Sequence, residues 1–410
     1  MGQTEKLQKE LEEIYESLHR HPELGFTEYR TAKIVETYLK NCGLEVITGV
    51  GLTGVVGILD SGKPGKSVML RADMDGLPIQ ELANCAYCSE EKGKMHACGH
   101  DAHVTMLLGA AKELSGRKDN FSGKIKFVFQ PAEEGSSKEA QKKLAEAGYD
   151  TSGCISGAKV ICDSGILDDV DACVIMHVQP SIPTGKVYIS KTKAMASSDS
   201  FSFTILGKGG HGAQPQNAID PVPALGEIIS AFHMLPTREI SAVETCVFSI
   251  GNVETPGSTW NAVAEKAVIE GGLRTFNEDV RNYLKKRIVE IVDGISKANR
   301  CTWELDMVHG YSPCVNNEEM SALVANIMEE FLGKANVIYT DIPYMTSEDC
   351  GVYLKKIPGV FFWLGIGYGE DAPALHSAYF QMDLKALRLG VQVHVENAIN
   401  ILKKLNREEA

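Results

Sequence analysis

Residues 67–79 read SVMLRADMDGLPI, a short apolar run that ends on two carboxylates, Asp73 and Asp75. The same design appears twice more. KIKFVFQPAEEG (124–135) is a strand-like run stopped by Pro131 and followed by Glu133 and Glu134, and DACVIMHVQP (171–180) is an apolar run that ends at His177 and meets Pro180. Between the first two lies AHVTMLLGAAKEL (102–114), whose Val104, Leu107, Leu108, Ala111 and Leu114 share one helical face. Strands separated by helices predict a mostly parallel sheet, in which functional groups gather at the carboxyl ends of the strands. Three such ends here carry Asp, Glu or His.

From about residue 187 the texture changes. DSFSFTILGKG (199–209) reads as a strand, IDPVPALGEIISAFHML (219–235) as a helix, and SAVETCVFSIGNV (241–253) and KAVIEGGLRTF (266–276) as two strands. A long amphipathic helix follows over 277–300, with Asn277 as its N-cap, and CTWELDMVHGY (301–311) closes the series as a strand. The order β-α-β-β-α-β is the ferredoxin-like pattern. FFWLGIG (361–367) then resumes the first kind of strand, and a helix from about Asp383 ends the chain. The expected fold is α/β: a mixed-sheet domain formed by residues 1–186 and 310–410, interrupted by a ferredoxin-like unit over 187–309.

The chain has 410 residues, 44% hydrophobic and 23% charged, with a net charge of −13. An acidic chain without a basic stripe argues against nucleic acid or anionic membranes as partners. No apolar run is long enough to span a bilayer, and the charged, helix-like start carries no apolar signal core. Eleven cysteines without framework spacing suggest reduced thiols in a cytoplasm. Cys85 and Cys88 have C-x-x-C spacing but no second such pair, and read as two ordinary thiols.

MHACGHDAH (95–103) concentrates three of the 11 histidines around Cys98. Cys98-x-His100 supplies two donors of the kind zinc takes, with Gly99 letting the backbone turn tightly between them. Alone, that pair is weak, His177 reads as a satisfied core histidine, and Glu133–Glu134 reads as a solvated face. Their agreement at one sheet edge is what favours a site. Two adjacent carboxylates divide the labour there: one binds metal, and its neighbour takes a proton from the attacking water. A structural zinc closed by His96, Cys98, His100 and His103 is a rival, but it leaves Glu134, His177 and His376 without a purpose. A metal-binding homologue without turnover is another rival, and Glu133 argues against it, since a structural site needs no base.

RADMDGLP, MHACGHDAH, FQPAEEG, MHVQPSIPTG, GKGGHGAQP and LHSAYF occur in this order. Together they resemble the dinuclear metallo-amidohydrolases that include aminoacylases, hippurate hydrolases and plant auxin-conjugate hydrolases. The resemblance runs from HPELGF at His21 to the last helix. It implies a zinc-peptidase-like catalytic domain and two divalent ions, zinc or manganese, with cobalt or nickel also suited. The implied ligands are Cys98, His100, Glu134, His177 and His376, with Cys98 bridging. Glu133 would be the general base, with Asp73 and Asp75 orienting ligands and His96 and His103 structural. The inserted unit would act as lid and homodimer interface, with His211 stabilising the tetrahedral intermediate, Asn261 near the substrate and Arg274 gripping its carboxylate. The implied reaction splits an N-acyl amino acid into an acid and an amino acid, a dipeptidase or carboxypeptidase being the alternative. This sequence departs from the family pattern at AVAEKA after Asn261, at Gln216 and at Ala378, positions that bear on the substrate pockets rather than the metal set.

Overall fold

The computed structural model of the chain describes residues 3–367, 369 and 371–408; the Met1–Gly2 start read for leader signals lies outside them. The chain divides into two compact units, one taking Met1–Ala194, Val315–Ile342 and Asp349–Ala410, the other Met195–Cys314 and Pro343–Glu348. Residues Val187–Ser190, which the sequence assigns to the insertion, instead pair with Gly359–Gly367 and Val337–Thr340, so the first boundary follows Ala194.

The first unit is built on an eight-stranded mixed sheet. Its order is Glu45–Val50, Gly54–Asp60, Lys124–Gln130, Ser67–Asp73, Ala172–Pro183, Gly359–Gly367, Val187–Ser190 and Val337–Thr340. The four strands from Lys124–Gln130 to Gly359–Gly367 run parallel to one another. All seven residues of Ser67–Asp73 are buried, as a central parallel strand requires when both faces are covered. Pro180 does not stop the third strand, which runs on to Pro183. Past it the ladder to Gly359–Gly367 shifts register between Gly365 and Gly367.

The helix His100–Ser115 is buried on nearly every side, not on the single face its apolar spacing suggests. Its second side packs on other helices: a side chain at Gly109 would strike Val391 and Leu11, and one at Gly390 would strike Met106. Covered in this way, the helix holds its first turn rigidly at the sheet edge.

The second unit has a four-stranded antiparallel sheet in the order Cys246–Glu254, Lys266–Thr275, Asp199–Leu206, Thr302–Val308, with helices Pro221–Arg238 and Glu278–Ala298 between strands. This is the ferredoxin-like arrangement. Asn277 caps the second helix by accepting from the backbone N–H groups of Asp279 and Val280. Phe201, Phe203, Ile205, Phe232, Leu284 and Ile288 fill the layer between sheet and helices.

One buried ion cluster ties the start of this sheet to its helix. Asp199 accepts from Arg281 Nε at 2.6 Å and Nη2 at 2.8 Å, and from the Gly310 N–H at 3.1 Å, while Lys285 Nζ lies 2.7 Å away. Burial by itself raises the Asp199 pKa, but hydrogen bonds from Arg281 and Lys285 outweigh it and hold the group below its ordinary value. Its stabilising contribution is therefore present above the unfolded carboxylate pKa of about 3.9 and is lost as pH falls through the lower folded value. Asp199→Asn leaves Arg281 buried without its anion and should cost about 3 kcal/mol. Thermal unfolding followed by circular dichroism should show a lower Tm at pH 7 and a smaller loss on acidification; an unchanged Tm contradicts this.

Candidate metal centre

Gly99 has φ +80°, in the left-handed region, and caps the helix that begins at His100. A side chain there would meet Val178 Cγ2 at 2.5 Å. Glycine thus lets the chain turn between Cys98 and His100 while keeping both against the sheet edge. Cys98 Sγ lies 3.5 Å from His177 Nε2 and 3.3 Å from His376 Nε2. His376 Nε2 lies 2.9 Å from Glu134 Oε1. The donor atoms of Cys98, Glu134 and His376 fall within 4.8 Å of one another, and so do those of His100, Glu133 and Glu134, and those of Asp73, His100, His103 and His177. Residues from five separate segments, from Asp73 to His376, meet in one cluster that is buried except at His376, whose side chain is about half exposed.

Each member is held by its neighbours. The strand Lys124–Gln130 ends at Pro131, and Ala132 follows with φ +47°. That turn is gripped by buried Glu28, whose Oε1 accepts the Ala132 N–H at 2.8 Å and whose Oε2 accepts the Thr53 hydroxyl at 2.6 Å. Glu133 is presented inward beside His100, with 4.0 Å between Glu133 Oε2 and His100 Nε2. The Glu134 N–H donates to Asp75 Oδ2 at 2.9 Å. His100 Nδ1 donates to the Asp75 carbonyl at 2.8 Å, which leaves Nε2 as the nitrogen facing the other donors. Nε2 is buried without a hydrogen-bond partner. His177 Nδ1 donates to the Val178 carbonyl at 2.8 Å, turning its Nε2 toward Cys98. His376 holds a left-handed φ of +64°, anchored by its N–H to the Ala97 carbonyl at 2.8 Å.

His103 has both ring nitrogens engaged: Nδ1 with Asp73, and Nε2 accepting the Val178 N–H at 2.9 Å. It is spent on structure. His96 is buried with neither ring nitrogen hydrogen-bonded.

The electrostatics call for a cation. Burial pushes the Cys98 thiol up, and Glu134, Glu133 and Asp73 push it further. Burial opposes charge on His100, yet Asp73, Asp75 and Glu134 outweigh it and raise that group to about 10. A divalent ion would take the place of the proton on His100 Nε2, offset the crowded carboxylates and deprotonate the thiol. Thiolate, imidazole and carboxylate donors in this arrangement fit such an ion.

Sequence reasoning missed the layer beneath. Arg71 is fully buried; its Nη1 donates to Asp73 Oδ2 at 2.6 Å, its Nε to Gln130 at 2.8 Å and its Nη2 to Asp349 at 3.1 Å. The only sequence signal was an arginine inside an otherwise apolar strand. Cys85 and Cys88, read as two ordinary thiols, are joined as a disulfide. The C-x-x-C turn brings their Cα atoms to 5.4 Å, within bridging range. The other nine cysteines lie outside any disulfide.

In the second unit, His211 pairs with Ala262 across a two-stranded ladder, and the Gly212 N–H donates to the Asn261 carbonyl at 2.9 Å. His211 and Asn261 are therefore neighbours, both exposed. Arg274 lies on the strand Lys266–Thr275, half-buried, with Nη1 donating to the Met345 carbonyl at 3.1 Å.

Residues 69–400 match the peptidase family M20/M25/M40. The chain belongs to that family. It is 36% identical to thermostable carboxypeptidase 2 of Saccharolobus solfataricus over 98% of this chain and 100% of the relative. It is 33% identical to an N-acetylcysteine deacetylase of Bacillus subtilis over 95% of this chain and 96% of that one. Its fold superposes on a solved dinuclear metal-binding M20 peptidase of Bacillus subtilis with a TM-score of 0.80 and 29% identity, covering 97% of this chain and 99% of the other. This M20 chain is a hydrolase of amide or peptide bonds, built on a metal-binding cluster. Among the described residues no helix is long and apolar enough to cross a membrane.

Proposed function

We propose that the chain is an amidohydrolase that cleaves N-acyl amino acids into a carboxylic acid and a free amino acid. The observation that carries this reading is the position of Cys98 Sγ between His376 and His177, at 3.3 and 3.5 Å, with Glu133, Glu134 and His100 grouped beside it. Glu134 and His376 would hold one divalent ion, His100 and His177 the other, and Cys98 would serve both; Asp73 and Asp75 orient the histidines. Two ions there would acidify the attacking water and polarise the scissile carbonyl. Glu133 accepts the proton from that water and delivers it to the leaving amine nitrogen. Zinc or manganese suits the donor set best, with cobalt or nickel next.

The ferredoxin-like unit is assigned the role of lid and dimer interface. Its outer strand Cys246–Glu254 exposes Val247 and Val253, which supports pairing of two chains along it. His211 would donate to the developing oxyanion, Asn261 would line the substrate next to it, and Arg274 would grip the substrate carboxylate through its forked guanidinium. His211→Ala should then lower kcat by about 10²- to 10³-fold, whereas Arg274→Ala should raise KM for substrates with a free carboxylate and leave kcat nearly unchanged. Steady-state kinetics of the two variants checks this; the reverse pattern would exchange the two roles. If His211 serves the partner's site, mixing Glu133→Gln chains with His211→Ala chains restores activity through hybrid dimers.

The carboxypeptidase relative supports a second reading, peptide cleavage by the same residues. Metal-loaded protein assayed against N-acetyl and N-benzoyl amino acids beside dipeptides separates the two. Higher kcat/KM on the acyl compounds supports the proposal, and cleavage of dipeptides alone replaces it with the second. The cytoplasm is the assigned location, on the strength of nine cysteines outside disulfides.

A further inference from the structure

The first helix ends at His19, whose buried ring meets two other segments of the same unit. Nδ1 lies 2.6 Å from Asp101 Oδ2, and Nε2 lies 3.3 Å from Glu81 Oε1. Cys85 Sγ lies 3.6 Å from that same Glu81 oxygen. The other Glu81 oxygen accepts the Ser89 N–H at 2.6 Å, so the carboxylate is fixed in place. The donor atoms of His19, Glu81 and Cys85 lie within 4.8 Å of one another. Cys88 Sγ is one sulfur–sulfur bond away from this triad. None of these residues belongs to the centre described above.

Two edges of this group have the spacing found around a tetrahedral ion. With bonds of about 2.0 Å to nitrogen or oxygen and about 2.3 Å to sulfur, adjacent ligand atoms around zinc stand roughly 3.3 to 3.6 Å apart. The observed edges, 3.3 Å from His19 to Glu81 and 3.6 Å from Glu81 to Cys85, have that length. The remaining nitrogen of His19 is hydrogen-bonded to the Asp101 carboxylate, as zinc-ligating histidines commonly are. Two sulfurs, one imidazole and one carboxylate would close the coordination sphere, which marks a structural rather than a catalytic site.

We propose that, when the Cys85–Cys88 bond is reduced, His19, Glu81, Cys85 and Cys88 bind a structural zinc ion, so that this loop is clipped by metal in the reduced state and by a disulfide in the oxidised state. A dithiol such as dithiothreitol drives the first change. Its two thiols supply two electrons and two protons, the Cys85–Cys88 bond breaks, and a disulfide forms in the reagent. Both cysteines then release their protons to solvent as zinc binds. An azo oxidant such as diamide reverses the change: the thiolates give up two electrons and join, the N=N bond becomes a hydrazine with two protons from solvent, and zinc leaves. The Leu82 N–H donates to the Ala378 carbonyl at 2.8 Å, so the clip also braces the segment that carries His376.

The test is zinc content per folded full-length chain after loading and removal of free metal, for wild type in both redox states and for Cys85→Ser/Cys88→Ser. Reduced wild type should hold one zinc more than oxidised wild type and one more than the double variant. Diamide should release that one ion to a zinc indicator. With cobalt in place of zinc, thiolate-to-metal absorption should persist in reduced Cys98→Ser and vanish when Cys85 and Cys88 are also replaced. Equal zinc content in reduced and oxidised wild type overturns the proposal. Because the readout is a difference, an error in the assignment of the Cys98 centre would change the total and leave this difference intact.

Discussion

Cys98→Ser is expected to strip the centre of most of its metal and to abolish turnover. Cys98 Sγ lies within 3.5 Å of both His177 and His376, so it joins the donors on its two sides. A serine hydroxyl keeps the size but is a far poorer anion. It cannot replace a thiolate that a divalent ion deprotonates outright. Loss of a shared ligand weakens both ions at once. The remaining Glu133, Glu134 and Asp73 then crowd the site with uncompensated negative charge. Metal analysis after dialysis should find little bound metal in Cys98→Ser, with the fold intact by circular dichroism. A variant that retains its metal and its activity would remove Cys98 from the centre.

Glu133→Gln should lower kcat by about 10²- to 10⁴-fold, the usual cost of losing a general base, while the metal stays bound. Glu134→Gln should lose metal as well as activity. The two carboxylates are adjacent in sequence, but the turn at Ala132 and the Glu134 N–H to Asp75 bond point them differently. Glu134 Oε1 approaches His376 Nε2 at 2.9 Å, whereas the nearer Glu133 oxygen stands 4.0 Å from His100 Nε2. Retained metal in Glu134→Gln together with lost metal in Glu133→Gln would exchange their roles.

How much of this was legible in the sequence depended on the range of the interactions. The β-α-β-β-α-β unit could be read because its signals are local: strand runs, two amphipathic helices and an N-cap at Asn277. The donors could be read because each follows an apolar run or sits in a distinctive motif. Arg71 could not, because its meaning comes from Gln130 and Asp349, 59 and 278 positions away. Glu28 was invisible for the same reason, since it acts on Ala132 from 104 positions away. Proline usually ends a strand, but the strand holding Pro180 continues to Pro183, with a register shift in its ladder between Gly365 and Gly367. For Cys85 and Cys88, spacing alone does not separate a bridge from two thiols; the turn that brings them together does.

The central claim is metal-dependent hydrolysis of an acyl–amino acid bond at the Cys98 centre. The most direct measurement titrates a divalent ion into chelator-stripped Cys85→Ser/Cys88→Ser protein, a background that removes the separate zinc clip, and follows release of the free amino acid from an N-acyl substrate. Activity should be absent without metal, rise with added ion, and reach its maximum near two bound ions per chain. Full activity in the stripped protein, or a maximum at a single ion, would contradict the account.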